Sequence, residues 1–140
     1  MTKQNDCVII YAQSTKGNLH MITKTDRAMF NIAKNISTLS DHPQYHLGAV
    51  VVHKHNVIST GYNSITKCDP IQAKMDTKRY GCECRGCLHA EIMALLPLIK
   101  SNTDLSGAKV YVYREHKNST PAMARPCAGC MSLIRAVGIK

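Results

Sequence analysis

The chain has 140 residues, 44% of them hydrophobic, with 18 basic against 9 acidic side chains and a formal charge of +9. One domain with room for a real core follows, while the absence of a run of about 18 apolar residues excludes a membrane-spanning helix, and the apolar patch of MTKQNDCVIIYAQ is too short for a signal peptide. The basic balance favours phosphate-bearing partners of any kind, but Lys and Arg are scattered without a block, so charge alone does not select a polynucleotide.

In chain order, residues 1–24 read as an N-terminal segment in which CVIIYAQ (7–13) is a candidate short strand. Residues 25–140 read as the functional domain. TDRAMFNIAKNISTLS places Met29, Ile32, Ala33, Ile36 and Leu39 at helical spacing, with Thr25 as the expected N-cap. Asp41-His42-Pro43 ends that helix. Leu47 to His53 is a near-continuous apolar run, the mark of a buried strand. A tight turn at His55-Asn56 returns it through Val57–Tyr62. Residues 63–86 form a long polar connection rich in cysteine, and a loop of that length is functional or stapled by metal. HAEIMALLPLIK is a helix burying Ile92, Leu95, Leu96 and Ile99, which Pro97 should kink or shorten. AKVYVYRE (108–115) is a strand, HKNSTPAMAR a loop, and PCAGCMSLIRAVGIK a last helix ending near Gly138. This order of elements is an α/β layout, a sheet covered by helices.

Seven cysteines at short spacings suit metal or free thiols better than a disulfide framework, in a chain read as intracellular and cytoplasmic. Two motifs stand out, each at a helix start: His89-Ala90-Glu91 and Pro126-Cys127-Ala128-Gly129-Cys130. Cys127 and Cys130, three apart, share one side of a first turn, where the helix dipole favours thiolate. Two thiolates and an imidazole make three ligands for tetrahedral zinc, leaving the fourth position for water, as in a catalytic site. Glu91, two residues past the histidine, is placed to carry protons.

Together the halves match H-x-E…P-C-x-x-C, the signature of zinc nucleobase deaminases. On these residues, and on the GAVVV, ISTGYN and VYVY strands between them, the chain resembles the cytidine and deoxycytidylate deaminase superfamily over roughly residues 25–140. Its dCMP deaminase branch is the most similar. The resemblance implies a three-layer α/β/α fold with a mixed central sheet. It implies zinc on His89, Cys127 and Cys130, Glu91 as proton shuttle, the Ala90 N–H facing the base carbonyl, and Asn63 on the sugar or base. The plain reading of Asn63 is a turn-former after a strand. The resemblance also implies a nucleotide substrate, a homo-oligomer, and a nucleoside triphosphate effector as in some relatives.

The chain departs from its relatives at three places. GYNSITKCDP stands where dCMP enzymes continue GYNG-x-P-x-G, the loop from Arg114 to Arg125 is long, and the sequence stops at Lys140. The sheet is therefore expected to lack its last strand or strands, with CVIIYAQ a candidate to fill that edge, unless the sequence is part of a longer chain.

Cys82, Cys84 and Cys87, with Cys68, read either as a second, structural zinc site or as free thiols. A weaker alternative closes Cys82, Cys84, Cys87 and His89 into one non-enzymatic zinc module, which leaves Glu91 and the Cys127/Cys130 pair unexplained. Arg114, Lys117 and Arg125 are candidate phosphate contacts or plain loop charges. His42, His46, His53 and His55 are given no ligand role. The expected activity is dCMP to dUMP with release of ammonia. The alternative is a base within transfer RNA or single-stranded DNA; six Tyr, one Phe and no Trp offer few stacking platforms, so nucleic acid is disfavoured.

Overall fold

The computed structural model describes residues 9–11, 23–72, 74 and 87–139. The elements are β1 (Ile9–Tyr11), α1 (Lys24–Ser37), β2 (Tyr45–His53), β3 (Asn56–Tyr62), α2 (Ala90–Lys100), β4 (Lys109–His116), β5 (Pro121–Ala122) and α3 (Ala128–Ala136). Residues 70–72 and 74 are also helical. Among the described residues, no helix is long and apolar enough to cross a membrane.

The sheet runs β1-β4-β2-β3. β2 is antiparallel to both β3 and β4. β1 joins β4 in parallel, from Ile9↔Val110 to Tyr11↔Val112. β5 pairs with β4 at Arg114 and Glu115. Since β2 takes one side of β4, β1 and β5 share the other. Ile9–Tyr11, within CVIIYAQ, thus supplies an edge strand, and the sheet is mixed, as the resemblance implies.

Alternation along each strand sorts the core into two layers. Ala49, Val51, Val110 and Val112 face α2 and α3, whose Ile92, Leu95, Leu133 and Ile134 are fully or almost fully buried. Val50, Val52, Tyr111 and Tyr113 face α1 through Ala33, Met29, Phe30 and Ile32. Two glycines set how closely the helices lie. A Cβ on Gly48 would overlap the Ala33 carbonyl of α1, and one on Gly61 the Ala90 carbonyl of α2. Gly61 is therefore the contact that lets the start of α2 settle on β3.

Some local expectations change. The N-cap of α1 is Thr23, not Thr25, because Thr23 and Asp26 form a capping box, each side chain accepting the other's backbone N–H at 3.1 Å. The helix closes at Ser37, which leaves Leu39 exposed. The hairpin turn falls on Lys54-His55, with φ of 51° and 67°, the left-handed pair that a two-residue turn requires. Pro97 does not end α2: it lies on the exposed side, and the helix gives up one rung and continues to Lys100. The loop after β4 is not wholly irregular, since Pro121–Ala122 folds back as β5.

Candidate active site

His89 and Cys127 are the N-cap residues of α2 and α3, each in extended conformation with ψ of 150° and 166°. Both helices thus begin at one place, beyond the end of β3. The Nδ1 of His89 lies 3.3 Å from the Cys130 Sγ and 3.5 Å from the Cys127 Sγ. The three ligand atoms fall within 4.8 Å of one another. Tetrahedral zinc with ordinary Zn–N and Zn–S bonds separates nitrogen and sulfur by about 3.5 Å, so the spacing fits. The donors are an imidazole and two sulfurs, a set suited to zinc and poorly suited to calcium or magnesium.

Local structure explains the placement. Cys127 caps its own helix, its Sγ accepting the Cys130 N–H at 3.5 Å. Hydrogen bonding to Cys130 and to His89 brings the Cys127 thiol down to about 4. The neighbouring Cys127 sulfur, burial and the Glu91 carboxyl push Cys130 well above the ordinary thiol value. A metal held by both sulfurs would take them as thiolates.

His89 is held from its backbone. Ser64 and Leu88 form an antiparallel bridge, with N···O distances of 2.9 and 2.8 Å. The next amide, His89 N–H, donates to Gln72 Oε1 at 2.9 Å. Ser64 is anchored in turn, its hydroxyl donating to Asp41 Oδ2 at 2.9 Å while Ile65 N–H donates to Asp41 Oδ1 at 2.8 Å. Hydrogen bonds from Thr66 and Ile65 hold the Asp41 carboxyl down at about 2.

Glu91, 2% exposed, sits in the first turn of α2 with Oε2 3.7 Å from the Cys130 Sγ. Burial pushes its carboxyl up, the direction expected of a group that takes and gives protons near neutrality.

A model of the family described as the cytidine and deoxycytidylate deaminase zinc-binding region matches residues 23–140. The chain belongs to that family. Membership makes it a zinc-dependent deaminase, and the His/Cys/Cys group is where the metal fits. Two solved structures of the dCMP deaminase from the cyanophage S-TIM5 share the fold. The apo form superposes with a TM-score of 0.59 at 22% identity, covering 81% of this chain and 76% of that one. The complex with dCMP and dUMP gives 0.60 at 21% identity, covering 86% and 80%. No curated protein matches the chain.

Within this deaminase the remaining expected residues separate. Asn63 is buried, and its side chain spans to β2: Oδ1 accepts the Leu47 N–H at 2.8 Å and Nδ2 donates to the Tyr45 carbonyl at 2.9 Å. It locks the end of β3 to the start of β2, and one amide hydrogen is left over. Ala90 is the first helical residue of α2, where backbone N–H groups have no partner within the helix. Arg114 is half-buried, its guanidinium 4.3 Å above the Tyr45 ring and its Nη1 3.5 Å from the Met123 carbonyl. Its Nε is buried without a hydrogen bond. Lys117 and Arg125 are exposed. Cys68 is exposed and Cys87 half-buried, while Cys82 and Cys84 lie outside the described residues. Among the described residues, the His89 group is the one three-residue metal cluster.

Gln72, Asp41 and Tyr45 carry no periodic or motif signal, and sequence reasoning, which did name Arg114, missed these three and the stacking of Arg114 on Tyr45. A cavity of ≈ 520 Å³ opens at the other end of the sheet, lined by Thr23, Asp26, His53, Lys54, Lys109 and Tyr111. It is remote from the deaminase chemistry.

Proposed function

We propose that the protein removes the amino group from the cytosine of a mononucleotide, converting dCMP and water to dUMP and ammonia. The observation that carries this reading is the juxtaposition of a His/Cys/Cys group with a buried carboxyl, Glu91, in the first turn of the helix that presents His89. His89, Cys127 and Cys130 hold the metal. When bound, zinc lowers the pKa of water towards ~7 and so supplies the nucleophile.

The rest falls to the protein's own groups. Glu91 takes a proton from the water as it adds to C4 and gives it to N3 of the ring. It then carries the second proton from the added oxygen to the amino nitrogen, and the C4–N bond breaks to release ammonia. Burial suits Glu91 to both roles, because a carboxyl with a raised pKa is neither too weak a base nor too weak an acid. The Ala90 N–H, at the positive end of α2, serves the base carbonyl. Asn63 uses its remaining amide hydrogen on the sugar or base. Arg114, with an unused Nε, is the phosphate contact of choice, ahead of Lys117 and Arg125. The S-TIM5 enzyme, which carries dCMP and dUMP on the same fold, supports the choice of a nucleotide.

Ammonia release from dCMP, CMP, deoxycytidine, dCTP and a transfer-RNA anticodon stem, with zinc per chain counted on the same sample, tests the proposal. Turnover of dCMP is the expected outcome. Activity on the RNA alone would replace the mononucleotide reading with the polynucleotide one. Two zincs per chain would assign the second to Cys68, Cys82, Cys84 and Cys87, and one would leave these as thiols.

A further inference from the structure

His89 occupies the N-cap of α2, but its side chain makes no capping hydrogen bond. The ring is turned to the two thiols instead. A residue that spends its side chain on a metal must be oriented by its backbone. The Ser64–Leu88 bridge fixes the peptide before it. The His89 amide itself is taken by the side-chain oxygen of Gln72, at 2.9 Å.

Gln72 is only 3% exposed, an expensive place for a primary amide unless its polar atoms are engaged. It stands on the short helical segment of residues 70–72, within the connection that sequence reading treats as an irregular loop. The core does not need this bond, because Ile92, Ala94, Leu95 and Leu98 anchor α2 further along. What the bond does restrain is rotation of the residue whose ring nitrogen must lie within bonding distance of a metal shared with two sulfurs. Groups that orient a ligand from behind the metal in this way commonly govern its affinity.

We propose that Gln72 is a positioning residue for the metal, acting through the His89 backbone, and that the short helical segment of residues 70–72 delivers it. The proposal rests on the zinc reading of His89, Cys127 and Cys130. By reciprocity, metal binding also steadies the Gln72 segment.

The test is zinc affinity, measured by competition with a chromogenic chelator, for the native protein, Gln72→Met and Gln72→Glu. Methionine keeps the length and removes the acceptor, whereas glutamate keeps the acceptor. Gln72→Met should weaken zinc by about 10-fold, the low end of the range for groups that bond a ligand's side chain directly. Gln72→Glu should bind as the native protein does. Native affinity in Gln72→Met, even with a lower melting temperature of the metal-free protein, would reduce Gln72 to packing. Equal weakening in both variants would also overturn the proposal, since the acceptor would then not matter. Should Gln72→Met fail to fold, hydrogen exchange of the His89 amide in native zinc-loaded protein decides: slow exchange supports the bond and fast exchange refutes it. His89→Ala separates the two levels. If it keeps zinc, the metal reading itself fails. If it loses zinc while Gln72→Met does not, only the positioning role falls.

Discussion

The two halves of the metal group are built differently. The His89 half opens a helix that is buried on nearly every side, lies against Gly61 of β3, and has its leading peptides bonded to Ser64 and Gln72. The Cys127 half opens the shorter α3 and follows an irregular stretch, and Cys127 itself is exposed. Its geometry is mostly local, one sulfur accepting from the amide three residues on. The deaminase thus keeps Glu91, the proton carrier proposed above, in the buried half and the Cys127 thiol in the accessible one. A catalytic carboxyl must not drift, and burial tunes it. A thiol that must lose its proton gains from a helix start near water.

The sharpest way to break this division is to disable each half in turn. Glu91→Ala should cost at least about 10²–10⁴-fold in turnover while zinc per chain is unchanged. Cys127→Ser should lose activity together with the metal. Turnover surviving in Glu91→Ala would sink the proton-shuttle role, and full zinc in Cys127→Ser would sink the ligand assignment.

Smaller effects test the scaffolding. Gly61→Ala and Gly48→Ala should each destabilise the protein by about 1–3 kcal/mol, because each added methyl meets helix backbone. Only Gly61→Ala should also weaken zinc, since Gly48 faces α1 on the other side of the sheet. Equal zinc affinity in the two variants, read beside their urea midpoints, would show that the buried half does not depend on that contact.

The smallest effect should be Asp41→Asn, and it depends on pH. The folded carboxyl titrates at about 2, below its ordinary 3.8, so its contribution is present above pH 4 and fades as pH falls through 2. Native and variant stabilities should differ at neutral pH and converge in acid. A gap that persists at pH 2 would show that the Asp41 charge is not what holds Ser64 and Thr66.

The His/Glu and Cys/Cys pairs were legible in the sequence because ligands at helix starts require fixed spacings beside apolar periodicity. That β2 is buried was legible from its near-continuous apolar run, and the structure then sorts alternate residues of β2 and β4 onto opposite faces. Gln72 was not legible: a glutamine within polar sequence has no pattern, and its partner is a backbone amide seventeen positions away. The Thr23 cap was missed because its signal is the reciprocal bond with Asp26, while Thr25 sits closer to the periodic run. The hairpin turn fell one residue earlier than expected. Asn56 resembles a turn residue but begins β3, and its amide donates to the Lys54 carbonyl at 3.2 Å. β5 has only two residues, one of them a proline, too little for any alternation to show.

The far flank of β4 is closed by two fragments of very different origin. β5 returns after a short turn, while β1 arrives from near the other end of the sequence to pair with Val110–Val112. Closing a loop costs more entropy the longer it is, so the β5 side has the advantage of early formation and the β1 side must wait for a nearly finished sheet. In kinetic terms, β1 is expected to be the latecomer of the folding reaction. Substitutions there should speed unfolding and leave the rate of folding almost untouched.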